Sequence, residues 1–183
     1  AILALAFLLD PYDTGRPGLI SKPGLRPQGP RTAGASRGRD PAFNAAVFGN
    51  SRVQLLSPER LGAQADARFV SLTVPGTGPK EQLHLLDWFM RHRSEAPKAL
   101  VFGIDSKWCV ADPALANDRP FPFWLYERSG LAYASGLLRY DILEELPRRI
   151  GYLARSAPQR AAPDGYWDYA AGFRQGTSED GPR

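Results

Sequence analysis

Three short apolar segments, at 45–49, 69–75 and 99–104, constrain this chain most, because each closes on a glycine-bearing or polar turn and helix-competent sequence separates them. The first reads Ala45-Ala46-Val47-Phe48-Gly49 and stops at Asn50. The second, Phe69-Val70-Ser71-Leu72-Thr73-Val74-Pro75, is β-branched and alternating, and ends in Gly76-Thr77-Gly78-Pro79. The third, Ala99-Leu100-Val101-Phe102-Gly103-Ile104, opens onto Asp105. Such runs between turn signals read as strands. The intervening stretches read as helices, one from Ser51 to about Leu61 that breaks near Ser57-Pro58, the next from Lys80 to about Arg93. Leu83, Leu86, Phe89 and Met90 recur there at helical spacing and are expected to face the core.

Strand, helix, strand, helix, strand implies right-handed βαβ crossovers and a parallel sheet. The expected fold is therefore α/β, a partial flavodoxin-like three-layer sandwich with three recognisable strands. A doubly wound sheet usually has about five, so its C-terminal strands are expected to be missing from this chain. Further on, Ser129 is placed to cap one helix, and Asp141 with Glu144 three residues later starts another, which Pro147 must kink or restart.

The flanks differ in composition. Residues 1–9 are apolar but too few to span a bilayer of about 30 Å. With no Met at position 1, residues 1–10 are expected to be the remnant of a signal anchor or signal peptide, the alternative being a short buried element of the domain. Residues 11–42 are rich in Pro, Gly and Arg and read as a tether. The α/β domain is assigned to 43–154. Residues 155–183 read as a mostly irregular tail, interrupted by Asp164-Gly165-Tyr166-Trp167-Asp168-Tyr169, either a docking element or a last piece of the core.

One cysteine, Cys109, excludes a disulfide framework and reads as a small buried residue. Two histidines, His84 and His92, leave little for a metal site, and no metal or cofactor is expected. The net charge of +4 is spread over scattered arginines rather than one motif, which argues against nucleic acid. The turn at Gly76 has the glycines of a phosphate loop, but Pro79 precedes Lys80 and Glu81 follows it, so the required ending is absent.

Ligands of open parallel sheets gather at the carboxyl ends of the strands. Ser51 at one such end is either a helix N-cap or an exposed nucleophile beside main-chain N–H groups that can stabilise an oxyanion. The ordered trio Gly49-Asn50-Ser51, Gly76 and Gly103-Ile104-Asp105 resembles the first three conserved blocks of the SGNH (GDSL-type) hydrolase superfamily over about residues 45–106. It is most similar to a divergent, often membrane-anchored bacterial branch reading Gly-x-Ser-Arg and then Gly-Leu-Asp.

The resemblance implies a serine esterase or O-acyltransferase on a cell-envelope or exported glycan, the partner being an acylated glycan or other ester substrate. It implies Ser51 as nucleophile, main-chain donors at Ser51 and Gly76, and Asp105 in support. It also implies an anchored or exported protein facing the periplasm or exterior, with membrane association through the N-terminal segment. Two departures stand out. Asp105 replaces the family's oxyanion-donating Asn, and an ionised carboxylate only accepts. No Asp-x-x-His block follows Cys109, so the chain as given is expected to lack its general base and to be incompetent as an esterase. The alternative is a catalytically silent SGNH-like binding or scaffold module. Residues 105–128 carry Trp108, Phe121, Phe123, Trp124 and Tyr126, fit for a lid or aromatic platform, or else for core packing or for resting on a membrane surface.

Overall fold

The computed structural model describes residues 2–16, 29–109, 112, 119–139, 141–155 and 163–167. In chain order the elements are α1 (Ile2–Leu9), α2 (Pro30–Arg39), β1 (Ala45–Gly49), α3 (Pro58–Ala65), β2 (Phe69–Thr73), α4 (Pro79–Arg91) and β3 (Ala99–Phe102). A 3-10 turn, Ser106–Cys109, follows, then α5 (Phe123–Tyr126), α6 (Gly130–Gly136) and α7 (Asp141–Arg155). The three strands form one parallel sheet in the order β2-β1-β3, with Ala45 opposite both Phe69 and Ala99. The fold is α/β and matches a partial flavodoxin-like sandwich.

Alternation along the strands builds a core on each face of the sheet. Ala45, Val47 and Phe69 point to one side, where Leu61 of α3 and Ala67 pack on them. Ala46, Phe48, Val70 and Leu72 point to the other, against Leu85, Trp88 and Phe89 of α4 and Tyr126 of α5. Phe48 stacks on Phe102 at 4.9 Å and meets Phe89 edge-on at 6.1 Å. Residues 45–48 of β1 are completely buried, as a central parallel strand covered on both faces must be.

Several helices begin and end as the sequence implies. The Ser129 hydroxyl accepts from the Ala132 N–H at 3.2 Å and caps α6. Ser57 does the same for α3, accepting from Arg60 N–H at 3.3 Å. Helix α7 starts at Asp141 but runs unbroken through Pro147 to Arg155. The core stripe of α4 differs in part from expectation: Phe89 is buried and Leu86 packs against the core, but Leu83 is 47% and Met90 41% exposed, and Gln82, Leu85 and Trp88 are buried in their place. Two stripes are available on this apolar-rich helix, and Trp88 decides between them by meeting Tyr126 edge-on and donating its indole N–H to Ala35 O at 2.9 Å.

The described part of 11–42 is no tether. Helix α2 lies against β2, α4 and α5 with Gly34, Ala35, Ser36 and Gly38 buried. Small residues let it approach closely: a Cβ on Gly38 would lie 2.9 Å from Trp88 Cδ1, and one on Gly34 2.9 Å from Tyr126 Oη. Residues 10–16 are equally tied down. The Asp10 carboxylate accepts from Thr14 Oγ1 at 2.9 Å, Tyr133 Oη at 3.2 Å and the Gly15 N–H at 2.7 Å. Asp13 accepts from Ser36 Oγ at 2.5 Å and pairs with Arg39. Helix α1 packs on α7 with Ala6 and Leu9 buried, and leaves Ile2, Leu5 and Leu8 exposed. No described helix is long and apolar enough to cross a membrane.

The aromatic segment belongs largely to the core: Tyr126 is buried, stacks with Phe121 at 5.3 Å, and Trp124 packs on Tyr12 and Tyr133. Residues 110, 111 and 113–118 of that stretch lie outside the described residues. Of the tail, Arg155 ends α7 and residues 163–167 are described, while Asp168 and Tyr169 of the aromatic island lie outside the described residues. Asp164 O accepts the Ser71 N–H of β2 at 2.8 Å.

Candidate functional site

The three turns that follow the strands meet at one edge of the sheet, tied together by main chain and side chain. The Val74 N–H donates to Gly49 O, and the Gly103 N–H to Phe48 O, both at 2.9 Å, so the exits from β2 and β3 are pinned to the exit from β1. Gly49 is required at the hub. Its φ is +153°, and a Cβ there would lie 2.3 Å from Val53 Cγ2, with the Gly103 backbone on the far side.

Asn50 and Asp105 face each other across the gap between β1 and β3. Each closes its own turn through its side chain, Asn50 Oδ1 accepting from the Arg52 N–H at 3.1 Å and Asp105 Oδ1 from the Lys107 N–H at 3.0 Å. Asn50 Nδ2 then donates to Asp105 Oδ2 at 2.6 Å, and Arg52 Nε stands 3.5 Å from the same oxygen. The Asn50 amide, then the Lys107 N–H and the Arg52 and Lys107 charges, hold the Asp105 carboxyl below the usual carboxylate range, against the opposing effect of burial. Asp105 is therefore ionised at neutral pH and accepts hydrogen bonds; it orients Asn50 rather than donating to an oxyanion. This gap is where the strand order reverses about β1, the usual ligand position in such sheets.

Ser51 is exposed, between the two residues that grip Asp105, and its hydroxyl has no hydrogen-bond partner among the described residues. It caps no helix: residues 51–55 form successive turns, and the regular helix starts only at Pro58. A helix dipole thus does not reach Ser51. Gly76 has φ +68° in its turn, and its open side faces Arg119 and Arg31 rather than the neighbours of Ser51. So Ser51 and Asp105 are brought together through Asn50 and Arg52, whereas Gly76 borders the same edge from β2.

Neither histidine serves this edge. His92 Nδ1 lies 2.7 Å from Trp88 O, and burial lowers its pKa against that carbonyl's pull. It lines a cavity of about 290 Å³ with Asn44 and Lys98, residues that precede β1 and β3, and so sits at the opposite edge of the sheet. His84 lies edge-on to Phe123 at 4.9 Å on α4. Cys109 is exposed rather than buried, at the end of the 3-10 turn that leads the chain off the sheet. Among the described residues no group of three His, Cys, Asp or Glu side chains could hold a metal ion.

The part that sequence reasoning missed is the role of Asn50 as connector. Its signal was present: an Asn at a strand end two residues before a main-chain N–H is an Asx-turn former. Compared with protein-family models, curated proteins and solved structures, the chain matches none.

Proposed function

We propose that this chain carries the nucleophile of an SGNH-like serine esterase or O-acyltransferase acting on an acylated cell-envelope or exported glycan. The observation that carries the reading is the Asn50–Asp105 bond across the β1/β3 gap, with the unengaged Ser51 hydroxyl beside it. In this reading Ser51 Oγ attacks the ester carbonyl, and N–H groups of the Ser51 turn receive the developing oxyanion. The ester C–O bond then breaks, releasing the sugar hydroxyl with the Ser51 proton and leaving the acyl group on Ser51, while Asp105 keeps the first turn in register through Asn50 and Arg52. The reaction needs a base to take the Ser51 proton, and neither His84 nor His92 is placed to do so. That placement favours a second reading, a catalytically silent module that binds a glycan or protein at the same edge. The exposed Ile2, Leu5 and Leu8 of α1 support an anchored or exported protein held at a membrane surface.

A fluorophosphonate probe applied to the protein separates the two. Labelling that disappears in Ser51→Ala is the expected result for the enzyme; a protein that folds and takes no label is the silent module.

A further inference from the structure

Helix α7 carries two apolar stripes, and the described fold uses one of them. The inner stripe, Ile142, Leu146 and Leu153, packs on the core, and the buried Arg149 beside it donates to Leu9 O at 3.2 Å. The outer stripe is Leu143, Pro147, Ile150 and Ala154, which follow one another at intervals of four, three and four residues. All of these are exposed, Leu143 at 48% and Ile150 at 47%. Such spacing makes the seam that one helix offers to another, where a helix packed on one side only is polar.

The charges of α7 select what covers that seam. In sequence the helix runs from Asp141, Glu144 and Glu145 to Arg148, Arg149 and Arg155. A second copy laid parallel sets acid against acid, whereas one laid antiparallel sets the acidic half of each helix against the basic half of the other. Glu144 and Arg148 follow Leu143 and Pro147 in the chain and so border the seam on one side. They pair with each other at 3.1 Å, and the pair is exposed and open to a further partner. A helix that lies on a membrane surface instead carries an excess of Lys and Arg on its polar face, and α7 has both signs in balance.

We propose that this chain self-associates through the outer face of α7, in a two-fold dimer whose α7 helices run antiparallel. The seam is self-complementary in that direction. Leu143 meets the partner's Ala154 and Pro147 meets the partner's Ile150, so a larger side chain faces a smaller one each time. One helix seam is smaller than the about 800 Å² that each partner brings to a standard interface, so the dimer forms at micromolar rather than nanomolar concentration. The association does not depend on the chemistry of Ser51.

The test is sedimentation equilibrium of the full chain from about 1 to about 200 μM, at low and at moderate salt. The mass rises from that of the monomer towards twice that value. Ile150→Glu and Leu143→Glu each set an unpaired charge in the seam and raise the midpoint at least about tenfold. Both replace exposed side chains, so circular dichroism stays that of the parent. Leu83→Glu, on α4 and 47% exposed like Ile150, leaves the midpoint where it was. Added salt weakens the dimer, because opposite charges face each other. A chain that stays monomeric throughout overturns the proposal. So does a midpoint unmoved by Ile150→Glu and Leu143→Glu, a Leu83→Glu loss as large as theirs, or association that strengthens with salt. A monomer that binds phosphatidylglycerol vesicles and releases them on Ile150→Glu overturns it too, and gives the stripe to a lipid surface.

Discussion

Single side chains at the sheet edge act through charge and shape. Asp105 sits 11% exposed with its carboxyl held low by the Asn50 amide first and by Lys107 N–H, Arg52 and Lys107 after it. A carboxyl whose folded value is depressed contributes stability above the ordinary carboxylate pKa of about 3.9, and that contribution is lost as pH falls through the folded value. Asp105→Asn is therefore expected to cost about 1–3 kcal/mol at neutral pH. The difference from the parent shrinks as the solution is acidified below the ordinary carboxylate range, in urea unfolding measured across a pH series. A difference that grows towards acid would contradict the assignment. Ser51, Gly76 and Asp105 were legible as residues because each ends an apolar run. What the runs could not carry was the charge state of Asp105, which depends on a partner fifty-five residues away in the chain.

Among the elements, α2 shows how a helix can enter a core without large apolar side chains. Its glycines, alanine and serine read as linker because propensity and hydrophobicity both fail there, yet they are what allow Trp88, Leu85 and Tyr126 to close on its backbone. A leucine at Gly38 must displace the Trp88 ring, and overpacking of this kind costs about 1–3 kcal/mol. Gly29→Ala, with nothing within 4 Å of the added carbon, is expected to change little. Thermal melts of the two variants check this, and equal melting temperatures would remove α2 from the core. The strands were readable to within two residues because buried parallel strands are continuous apolar runs. The stripe of α4 was readable only at Leu86 and Phe89, since Leu83, Leu85, Leu86, Trp88, Phe89 and Met90 offer two helical faces and only the docking of α2 and α5 selects one.

At the scale of the molecule, the flanks expected to be loose are part of the construction. Residues 10–16 hold α2 and α6 together through Asp10, Asp13 and Thr14, which are all buried. Their signal in sequence, two aspartates spaced by three in a Pro/Gly-rich stretch, is indistinguishable from a solvated turn until its partners Ser36, Arg39 and Tyr133 are in place. At the other end, residues 163–165 lie along β2, with Asp164 O on the Ser71 N–H and Pro163 O on Arg37 at 3.0 Å. Ending the chain after Arg155 is expected to speed amide exchange at Ser71 by about tenfold or more while β1 amides stay protected. Hydrogen-exchange NMR reads both.

That strap gives the sheet a direction of growth. The outer margin of β2 is occupied by the strap, whereas the outer margin of β3 is bare among the described residues, and Leu100 is 38% exposed there. Any added strand, whether from this chain's own continuation or from another molecule, has one berth, beside β3. The site lies between β1 and β3, so whatever docks in that berth becomes the second wall of the Asn50–Asp105 crevice and decides what the crevice admits.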